Sequence, residues 1–407
     1  MPFTQKHLEG PFKNEINLPA SKSISNRLLL IKAISNKNFK IENLSDADDT
    51  RILKKALQLT DKIIYSGEGG TTFRFLLALL ASKEGTWKLS GSKRLMLRPI
   101  EPLIDSLRKI GGDIKREKTH LLIKGKKLEG GKISVNAGVS SQFISALLLV
   151  APTFKNELQI SLTGKSVSRP YIDMTIEVMR EYGIDVFLNG KNITVCPGKY
   201  QSRNSFIESD WSAASYFYEL AAFNPGSKIL LKGLKKDSLQ GDRVIVELFE
   251  AFGIKSIFNK KGVSIVSELI TMKGDTRKVY NQFIFDVNDC PDLFPALVVT
   301  CAAKRISATF KNTSHLNYKE SKRANVFAKL LRQLNCKVKQ TKNTFSIDAK
   351  NFELKTLNYK LSTHNDHRIA MSFAPLASLF SSITFDDKSV VNKSFPDFWL
   401  ELKKLNN

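Results

Sequence analysis

The chain has 407 residues, of which 42% are hydrophobic and 25% are charged. This is ordinary globular composition, which excludes a disordered or collagen-like chain, and the length predicts two or three domains. The formal net charge is +24, yet only 16 of the 63 basic residues are arginine, and the lysines are spread along the whole chain. Without a basic tail or a basic run interleaved with aromatic residues, this charge favours a lysine-rich solvated surface, with some preference for small acidic substrates, over polyanion binding.

No membrane-spanning or secretory segment is predicted. The longest apolar runs, at residues 73–81, 144–152 and 294–303, fall short of the ~20 residues that span a bilayer. The first 20 residues contain no apolar core of a signal peptide. The four cysteines are widely spaced and form no CxxC pair, which predicts a reducing, cytoplasmic location without a disulfide framework.

The first predicted helix begins within LPASKSISNR, residues 18–27, and continues through LLLIKAI. Ser21 or Ser23 can cap this helix, which places Lys22 and Arg27 near its N-terminus. Backbone N–H groups, the helix dipole and two side-chain charges favour an anion there. For this segment alone, a capped helix with solvent-facing basic residues is an equal alternative.

The second polar helix start is GEGGTTFR, residues 67–74. Its glycines allow the backbone to approach a ligand closely, and Thr71 and Thr72 offer hydroxyl groups before an apolar helix. The segment matches neither the P-loop pattern nor GxGxxG, so alone it is weak evidence for a ligand site.

Two further polar helix starts follow, SSQF at residues 140–143 and SRPY at residues 168–171. Each alone is more often simply a helix cap. Four such starts, each after a strand-like segment, predict helix N-termini that converge on one anion-binding site.

An internal repeat runs through the chain. Four segments share one pattern: an amphipathic helix end, then Gly or Asn, then a strand, a polar turn and another strand. The helix-ending residues are Gly111, Gly183, Gly253 and Asn335, separated by 72, 70 and 82 residues. Gly and Asn tolerate the left-handed conformation that closes a helix. The period of about 70 residues predicts small α/β modules, of which the chain can hold nearly six.

The ionisable groups that could do chemistry lie in the C-terminal half. They occur in DVNDCPD at residues 286–292, KESKR at 319–323, NDHR at 365–368, and at Lys393. In KESKR the spacing predicts that Lys319, Glu320 and Arg323 lie together on one helix. A surface charge cluster is the alternative for each segment, although three consecutive ionisable residues opening an apolar helix are hard to explain by packing.

Metal binding and a serine-hydrolase site are both poorly supported. Of the five histidines, His364 and His367 are three residues apart, but no HExxH motif or cysteine partner completes a zinc site. No GxSxG nucleophile elbow is present.

Taken together and in order, these segments resemble the motifs of the EPSP synthase (3-phosphoshikimate 1-carboxyvinyltransferase) family. LPASKSISNR resembles its N-terminal signature, GEGGTTFR its glycine–threonine–arginine loop, and LRPI at residues 97–100 the Arg-Pro that follows. SSQF, SRPYID, CPD, KESKR, NDHR and KSFPDF resemble the remaining motifs. The resemblance runs from Lys22 to Phe398 and covers essentially the whole chain.

The resemblance implies an α/β fold: a two-domain inside-out α/β barrel-like fold, with three repeated βαβαββ units in each domain. It implies an N-terminal (upper) domain over residues 20–207 and a C-terminal (lower) domain formed by residues 1–19 and 208–407. The two chain crossings between them would act as a hinge.

The implied reaction transfers the enolpyruvyl group of phosphoenolpyruvate to the 5-hydroxyl of shikimate 3-phosphate and releases phosphate, in the shikimate pathway to chorismate and aromatic amino acids. No metal or organic cofactor is implied. A cytoplasmic monomer is expected, with these two small molecules as partners and with neither nucleic acid nor a membrane.

The family's motifs assign site residues. Shikimate 3-phosphate would contact Lys22, Ser23, Arg27, Ser140, Ser141, Ser168, Asp292 and Lys319. Phosphoenolpyruvate would contact Lys22, Gly70, Arg98, Gln142, Arg323, Arg368 and Lys393. The catalytic residues would be Lys22, Asp292 as the base and Glu320 as the proton donor, with these last two roles open to exchange.

Three positions depart from the family pattern. Glu68 replaces the usual Asn of the glycine loop, Phe75 replaces the Pro after its Arg, and His315 occupies a position that is commonly Asn or Arg. These departures affect the expected geometry of the phosphoenolpyruvate site and the response to inhibitors, not the reaction class.

Two other protein families are alternatives to this interpretation, and each predicts sequence features that can be checked. The related transferase acting on UDP-N-acetylglucosamine carries Lys-Asn in place of Lys22-Ser23 and a reactive Cys in a loop, whereas this chain has no Cys before Cys196. A nucleic-acid-binding protein resembling RNA-phosphate cyclases would need a reactive His near the C-terminus and salt-dependent polyanion binding. His367 does not lie in such a context.

Overall fold

The computed structural model describes residues 1–59, 61–268, 282–353 and 358–406. The chain divides into two compact units, an N-terminal unit, Ser21–Ile207, and a C-terminal unit that combines Met1–Ala20 with Glu208–Asn407. The division expected from the sequence placed residue 20 in the N-terminal domain.

The strands of the described residues are short, mostly three to six residues long. In chain order they are β1 (Phe3–Lys6), β2 (Glu15–Asn17), β3 (Ile41–Glu42), β4 (Ile63–Tyr65), β5 (Gly85–Ser90), β6 (Asp113–Arg116), β7 (Leu121–Gly125), β8 (Gly131–Asn136), β9 (Leu158–Thr163), β10 (Val186–Asn189), β11 (Asn192–Val195), β12 (Ser205–Phe206), β13 (Lys228–Lys232), β14 (Ile254–Asn259), β15 (Gly262–Ser267), β16 (Gln282–Asp286), β17 (Ser307–Lys311), β18 (Lys337–Gln340), β19 (Thr344–Asp348), β20 (Asn358–Leu361) and β21 (Ser382–Phe385).

Helices alternate with these strands. They are α1 (Lys22–Ser35), α2 (Asp48–Gln58), α3 (Gly70–Ser82), α4 (Lys93–Met96), α5 (Glu101–Lys109), α6 (Ser141–Val150), α7 (Arg169–Glu181), α8 (Trp211–Phe223), α9 (Ile245–Glu250), α10 (Phe294–Ala303), α11 (Arg323–Gln333), α12 (His367–Phe373) and α13 (Phe398–Lys403). Short 3₁₀ turns connect some of them, including Gly241–Val244 and Ser314–Tyr318.

Four sheets share one topology. Their strand orders are β2-β13-β15-β14, β4-β5-β7-β6, β8-β9-β11-β10 and β16-β17-β19-β18. In each, the first two strands are parallel and the remaining pairs are antiparallel, which is the topology of a βαβαββ unit. The predicted repeat is therefore confirmed. Its helix-ending residues adopt the left-handed conformation, with φ of 99° at Gly111, 79° at Gly183, 82° at Gly253 and 59° at Asn335.

The last repeat of each unit is less regular. In the C-terminal unit, parallel strands β20 and β21 are completed by β1 from the beginning of the chain, which pairs with β21 in the antiparallel sense. In the N-terminal unit, β3 and β12 form a two-stranded parallel sheet. Both units therefore close on strands that are distant in sequence.

The core of each unit is helical. Helices α3 and α6 of the N-terminal unit, and α8, α10 and α12 of the C-terminal unit, are buried along nearly their whole length. A helix that is apolar on all sides is stable only in an interior. Strands such as β5 and β8 alternate buried and exposed residues, so each sheet faces the core on one side only. Helices inside and sheets outside confirm the predicted inside-out α/β fold.

Candidate active site

The residues singled out in the sequence follow the carboxyl ends of parallel strands. In the N-terminal unit, Gly70 comes after β4, Arg98 after β5, Ser140 after β8 and Ser168 after β9. Parallel neighbours end at the same edge of a sheet, where α/β proteins place their ligand sites. The repeat therefore presents one polar helix start or loop from each such strand.

The C-terminal unit follows the same rule. Asp292 comes after β16, Lys319 after β17, Arg368 after β20 and Lys393 after β21. In each unit the described residues that could bind or react are distant in sequence. The order of the strands in the sheets places them after the carboxyl ends of parallel strands.

Lys22 opens α1 and forms an ion pair with Asp49 in α2. The distance from Lys22 Nζ to Asp49 Oδ2 is 3.0 Å, and Asp49 is only 4% exposed. The Thr72 hydroxyl donates a 2.8 Å hydrogen bond to the Asp49 carbonyl, and a Cβ on Gly69 would lie 2.8 Å from Asp49 Oδ1. The starts of α1, α2 and α3 are therefore joined at Asp49, which the sequence reasoning missed. The only signal for it was the acidic pair that opens α2.

Two arginine side chains lie so close to Gly70 that a larger residue at this position would collide with them. A Cβ at this position would lie 2.7 Å from Arg74 Nη1 and 2.9 Å from Arg98 Nη1. Arg74 donates to the Gly70 carbonyl at 3.0 Å and to Gln142 Oε1 at 3.0 Å. Gln142 in turn donates to the Thr71 hydroxyl at 3.0 Å. Hydrogen bonds thus connect the starts of α3 and α6, with Arg98 against Gly70.

Arg27 is buried in the N-terminal unit, with 3% exposure. It donates four hydrogen bonds inside the protein, to Ser23 O at 2.8 Å, Thr175 Oγ1 at 2.8 Å, Tyr171 O at 2.9 Å and Ser145 Oγ at 3.2 Å. A guanidinium has five N–H donors, so at most one is available for a ligand. Burial lowers the pKa of Arg27 to about 10.

Phe75, one of the departures from the family pattern, is fully buried beneath Arg27. The guanidinium carbon lies 5.7 Å from the centre of the ring, within the range of a cation–π contact. Glu68, another departure, is exposed.

The serines stand at the starts of α6 and α7. Ser140 caps α6 and accepts a 3.3 Å hydrogen bond from the Gln142 amide, and Ser141 is 5% exposed. Ser168 precedes α7 with φ of 55°, a left-handed conformation that is uncommon for residues other than Gly, Asn and Asp. Within the described ranges its hydroxyl has no hydrogen-bond partner. Side-chain contacts therefore join the starts of α1, α2 and α3 and the starts of α3 and α6, whereas convergence of all four helix starts on one anion-binding site stays a prediction.

Asp292 is the centre of the C-terminal unit's charged cluster. Its carboxylate lies 2.9 Å from Arg368 Nη2, 3.2 Å from Arg323 Nη1 and 3.8 Å from Lys319 Nζ. Burial acts to raise the pKa of Asp292, but Arg368, Lys319 and Arg323 outweigh it and hold that pKa well below its ordinary value. Asp292 is thus an ionised carboxylate.

Arg323 connects the rest of the cluster. It is completely buried and pairs with Glu320 Oε2 at 2.8 Å and with Asp366 Oδ2 at 3.0 Å. Burial acts to lower the pKa of Arg323, but Asp366, Glu320 and Asp292 raise it above its ordinary value. Lys393 Nζ lies 3.6 Å from Glu320 Oε1.

One expectation about this cluster was wrong. Lys319 and Glu320 do not lie on the helix with Arg323, because α11 begins only at Arg323 and the two residues occupy the bend before it. Lys319 has an extended backbone that ends the preceding 3₁₀ turn. Glu320 and Arg323 nevertheless form an ion pair, because their side chains are within reach of each other across that bend.

The C-terminal unit has two further buried acidic residues: Asp366, which belongs to the NDHR segment singled out in the sequence, and Asp242, which the sequence analysis missed. Asp366 caps α12 by accepting a 3.0 Å hydrogen bond from the Arg368 amide, and it holds Arg323. Asp242 is 3% exposed and accepts a hydrogen bond from the Ser212 hydroxyl. Burial, together with the charge of Asp292, raises the pKa of Asp242 to about 7. No local sequence signal predicts their pairing with Arg323 and Ser212, since these partners are distant in the chain.

Within the described ranges, no cluster of three or more His, Cys, Asp or Glu side chains is arranged to hold a metal ion. Among the helices described here, none has both the length and the apolar character that crossing a membrane needs.

Comparison with known proteins gives one consistent result. The model of the family described as EPSP synthase (3-phosphoshikimate 1-carboxyvinyltransferase) matches residues 7–60 and 52–402. A 3-phosphoshikimate 1-carboxyvinyltransferase of Bacteroides fragilis is 37% identical over 398 residues, covering 96% of this chain and 95% of that protein. The corresponding protein of Colwellia psychrerythraea is 31% identical over 431 residues, covering 98% of each.

Among solved structures, EPSP synthase from Acinetobacter baumannii superposes with a TM-score of 0.76 at 22% identity, covering 99% of this chain and 98% of that one. At 22% sequence identity, this structural similarity supports the assignment of the fold alone.

Proposed function

The chain belongs to the EPSP synthase family, and from this premise we propose that it transfers the enolpyruvyl group of phosphoenolpyruvate to the 5-hydroxyl of shikimate 3-phosphate, giving 5-enolpyruvylshikimate 3-phosphate and phosphate. The observation that carries the proposal is the pair of side-chain clusters, one in each unit, built from the residues that the family motifs assign. Both substrates are multiply anionic, and each cluster offers buried cations and polar helix starts that suit them.

The N-terminal unit supplies the first set of anion ligands. Lys22, Ser23, Ser140, Ser141 and Ser168 lie at the starts of α1, α6 and α7 and would bind shikimate 3-phosphate. The left-handed backbone of Ser168 and its hydroxyl, which has no partner within the described ranges, support this role.

Arg27 has a narrower role than the motif alone suggests. With four N–H groups already hydrogen-bonded inside the protein, it would give shikimate 3-phosphate at most one hydrogen bond and otherwise contribute its charge. Its remaining function is to hold α1, α6 and α7 together.

Phosphoenolpyruvate would contact Gly70, Arg98 and Gln142 in the N-terminal unit. The absence of a side chain at Gly70 lets Arg98 lie against the start of α3, where backbone N–H groups also favour an anion. Lys22 would reach both substrates.

The C-terminal unit supplies the remaining cations and the acid–base pair. Its cluster has four cations against three carboxylates: Lys319, Arg323, Arg368 and Lys393, with Asp292, Glu320 and Asp366. Substrate anions would therefore compete with the carboxylates for cations that are already in place, at little reorganisation cost.

Asp292 would be the base and would contact shikimate 3-phosphate with Lys319. Its pKa is held low by Arg368, Lys319 and Arg323, which makes it a weak base in the free protein. An anionic substrate that takes over part of the charge of Arg368 or Lys319 would raise that pKa, so the base would gain strength when the site is filled.

Glu320, a carboxylate paired with Arg323 and Lys393 in the free protein, would take up a proton from solvent when substrate anions occupy those cations, and would then be the proton donor. In the addition step the C3 methylene of phosphoenolpyruvate gains a proton from Glu320, C2 forms a bond to the 5-oxygen, and the hydroxyl proton passes to Asp292. In the elimination step the methyl group returns a proton to Glu320, the C2–O bond to phosphate breaks, and the phosphate leaves with the proton held by Asp292. Both steps balance without a metal or an organic cofactor.

We propose further that the two chain crossings, at residues 20–21 and 207–208, serve as a hinge, and that the protein acts as a cytoplasmic monomer without nucleic acid. The four cysteines, all unpaired, support a reducing compartment.

Phosphate release tests the function. We expect purified protein to release phosphate only when phosphoenolpyruvate and shikimate 3-phosphate are both present, and equally well with a chelator of divalent ions. The Glu320→Gln variant should lower the maximal rate by about 10²–10⁴-fold, because a positioned acid contributes this much, while Michaelis constants change little.

The exposed Glu250→Gln variant is the matched control and should behave as wild type. Phosphate release with UDP-N-acetylglucosamine in place of shikimate 3-phosphate, or loss of activity on chelation that a divalent ion restores, would contradict the proposal.

A further inference from the structure

Tyr216 is a buried tyrosine in the middle of the apolar helix α8. It is 1% exposed, and its ring packs edge-on against the ring of Phe398 in α13, with 6.0 Å between the ring centres. A phenylalanine ring at this position could make the same packing contact. What distinguishes tyrosine here is the hydroxyl group, and buried tyrosine hydroxyls usually have a hydrogen-bond partner.

The partner that the described residues give this hydroxyl is Arg368. Arg368 Nη1 donates to Tyr216 Oη at 3.2 Å, while Nη2 of the same guanidinium lies 2.9 Å from Asp292 Oδ2. Helix α8 packs against α10, which begins just after Asp292, and against α12, which carries Arg368. The hydroxyl therefore lies beside the charged cluster of the C-terminal unit without adding a charge to it.

The Tyr216 hydroxyl is a neutral acceptor. Burial raises the pKa of Tyr216 above its ordinary value, although Arg368 acts to lower it, so the phenol keeps its proton at neutral pH. A carboxylate that holds a guanidinium, as Asp366 holds Arg323, also compensates its charge. A neutral hydroxyl orients the guanidinium and leaves its charge for an anion to use.

Holding one end of an arginine also limits where its other end can point. The guanidinium is a rigid planar fork, and Nη1 and Nη2 are its two terminal groups. A long side chain loses much rotamer freedom when it is ordered on binding, and an arginine that is already held in the free protein avoids most of that cost. A substrate anion can then replace Asp292 at Nη2 while the contact between Nη1 and Tyr216 is kept.

We propose that Tyr216 is a positioning residue for phosphoenolpyruvate: its hydroxyl holds Nη1 of Arg368 so that Nη2 can pass from Asp292 to an anionic group of that substrate. The proposal rests on the proposed function, in which Arg368 is a ligand of phosphoenolpyruvate. Tyr216 acts through Arg368 and does not itself touch the substrate.

Tyr216→Phe tests the hydroxyl, because it removes one oxygen atom and keeps the ring. We expect the Michaelis constant for phosphoenolpyruvate to rise by about tenfold, as loss of a hydrogen bond to a charged group should. The maximal rate and the Michaelis constant for shikimate 3-phosphate should change little, because the reacting groups and the other substrate's ligands are untouched.

Tyr218→Phe is the matched control in the same helix. Tyr218 is as buried as Tyr216, and its hydroxyl shares a 2.7 Å hydrogen bond with Ser256 Oγ in β14. This control should lose a similar amount of thermal stability and keep both Michaelis constants. An unchanged constant for phosphoenolpyruvate in Tyr216→Phe, or an equal rise in Tyr218→Phe, would assign the hydroxyl to the stability of α8 and overturn the proposal.

A double-mutant cycle with Arg368→Lys tests whether the effect passes through Arg368. Lysine carries a compact ammonium without the two-ended fork of arginine, so it cannot be held at one end and presented at the other. In the Arg368→Lys background, Tyr216→Phe should therefore raise the Michaelis constant for phosphoenolpyruvate by about twofold at most. The full effect in both backgrounds would mean that the two residues act independently, and would overturn the proposal.

A crystal structure gives an answer that needs no substitution of Tyr216. In the slow Glu320→Gln protein with both substrates bound, Arg368 Nη1 should remain within hydrogen-bond distance of Tyr216 Oη, and Nη2 should contact an oxygen of phosphoenolpyruvate. An Arg368 side chain that has turned away from Tyr216 in the occupied site would overturn the proposal.

The two proposals fail differently. If wild-type protein releases no phosphate from the substrate pair, the proposed function is wrong. If it releases phosphate while Tyr216→Phe retains the wild-type Michaelis constant for phosphoenolpyruvate, only the role of Tyr216 is wrong.

Discussion

Glu219 is a carboxylic acid inside the apolar helix α8. It is completely buried, and both carboxyl oxygens have no hydrogen-bond partner among the described residues. Burial raises the pKa of Glu219 well above its ordinary value. The folded protein therefore keeps this proton at pH values at which the unfolded chain, titrating near 4.5, has lost it.

This raised pKa predicts that Glu219 makes the fold sensitive to alkaline conditions. Its stabilising contribution is fully present below pH 4.5 and is lost, by about 1.4 kcal/mol per pH unit, as the pH rises toward the folded-state pKa. We expect Glu219→Gln to remove this slope and to raise the free energy of unfolding at pH 8, measured by urea denaturation between pH 5 and pH 8. The exposed Glu250→Gln is the control, and equal pH slopes in wild type and Glu219→Gln would contradict the assignment.

At the scale of single residues, the sequence revealed many of the ionisable side chains but not which carboxylate pairs with which cation. Lys22 and Arg323 stand out because they fall in motifs. Their partners Asp49 and Asp366 are 27 and 43 residues away, at distances along the chain over which no local pattern predicts contact. The pairing depends on which strands become neighbours, and it appears only when the sheets form.

The ends of secondary-structure elements were predictable where they depend on the residue type at a single position. A Gly or Asn that ends a helix before a hairpin is visible in sequence because only those residues adopt the left-handed conformation cheaply. The assignment of Lys319 and Glu320 to a helix was wrong because it rested on charge spacing, which does not determine where the backbone enters or leaves the helical conformation. The bend before α11 depends on the 3₁₀ turn from which the chain arrives.

The start of α3 gives a prediction at the scale of an element. Gly70→Ala should fit the helix, whose propensity favours Ala, yet its Cβ would displace the ends of Arg74 and Arg98. We expect the Michaelis constant for phosphoenolpyruvate to rise by about tenfold, because a charge-assisted contact is lost, while thermal stability is kept or increased. Gly131→Ala is the control, since no atom lies within 4 Å of its Cβ position, although its φ of 101° costs stability. An unchanged constant in Gly70→Ala would separate this helix start from phosphoenolpyruvate.

At the scale of the whole molecule, a single repeat explains the distribution of function. Each βαβαββ unit contributes the polar ends of two parallel strands, so several copies yield a large number of anion-binding groups from one short motif. This is why motifs that are individually weak form an ordered series along the chain. The regularity made the fold and the order of the motifs predictable, whereas the side-chain pairings between repeats were not.

The net charge of +24 predicts the response of the reaction to salt. Both proposed substrates are multiply charged anions, so the field of the protein should speed their encounter, an effect that mobile ions screen. The Debye length falls from about 30 Å at 0.01 M to about 3 Å at 1 M ionic strength, so long-range attraction present at low salt is removed at high salt. We expect kcat/KM for shikimate 3-phosphate to fall by about tenfold or more across this range of potassium chloride, while kcat at saturating substrates stays nearly constant.

A variant with less positive charge tests the same field. Replacing the exposed Lys126 and Lys127 with glutamate lowers the net charge by two units at each position, from +24 to +20, and should reduce the salt dependence of kcat/KM without lowering kcat. A kcat/KM that is flat with salt would show that the excess lysines only solvate the surface and that the ion pairs of the two clusters alone determine substrate capture.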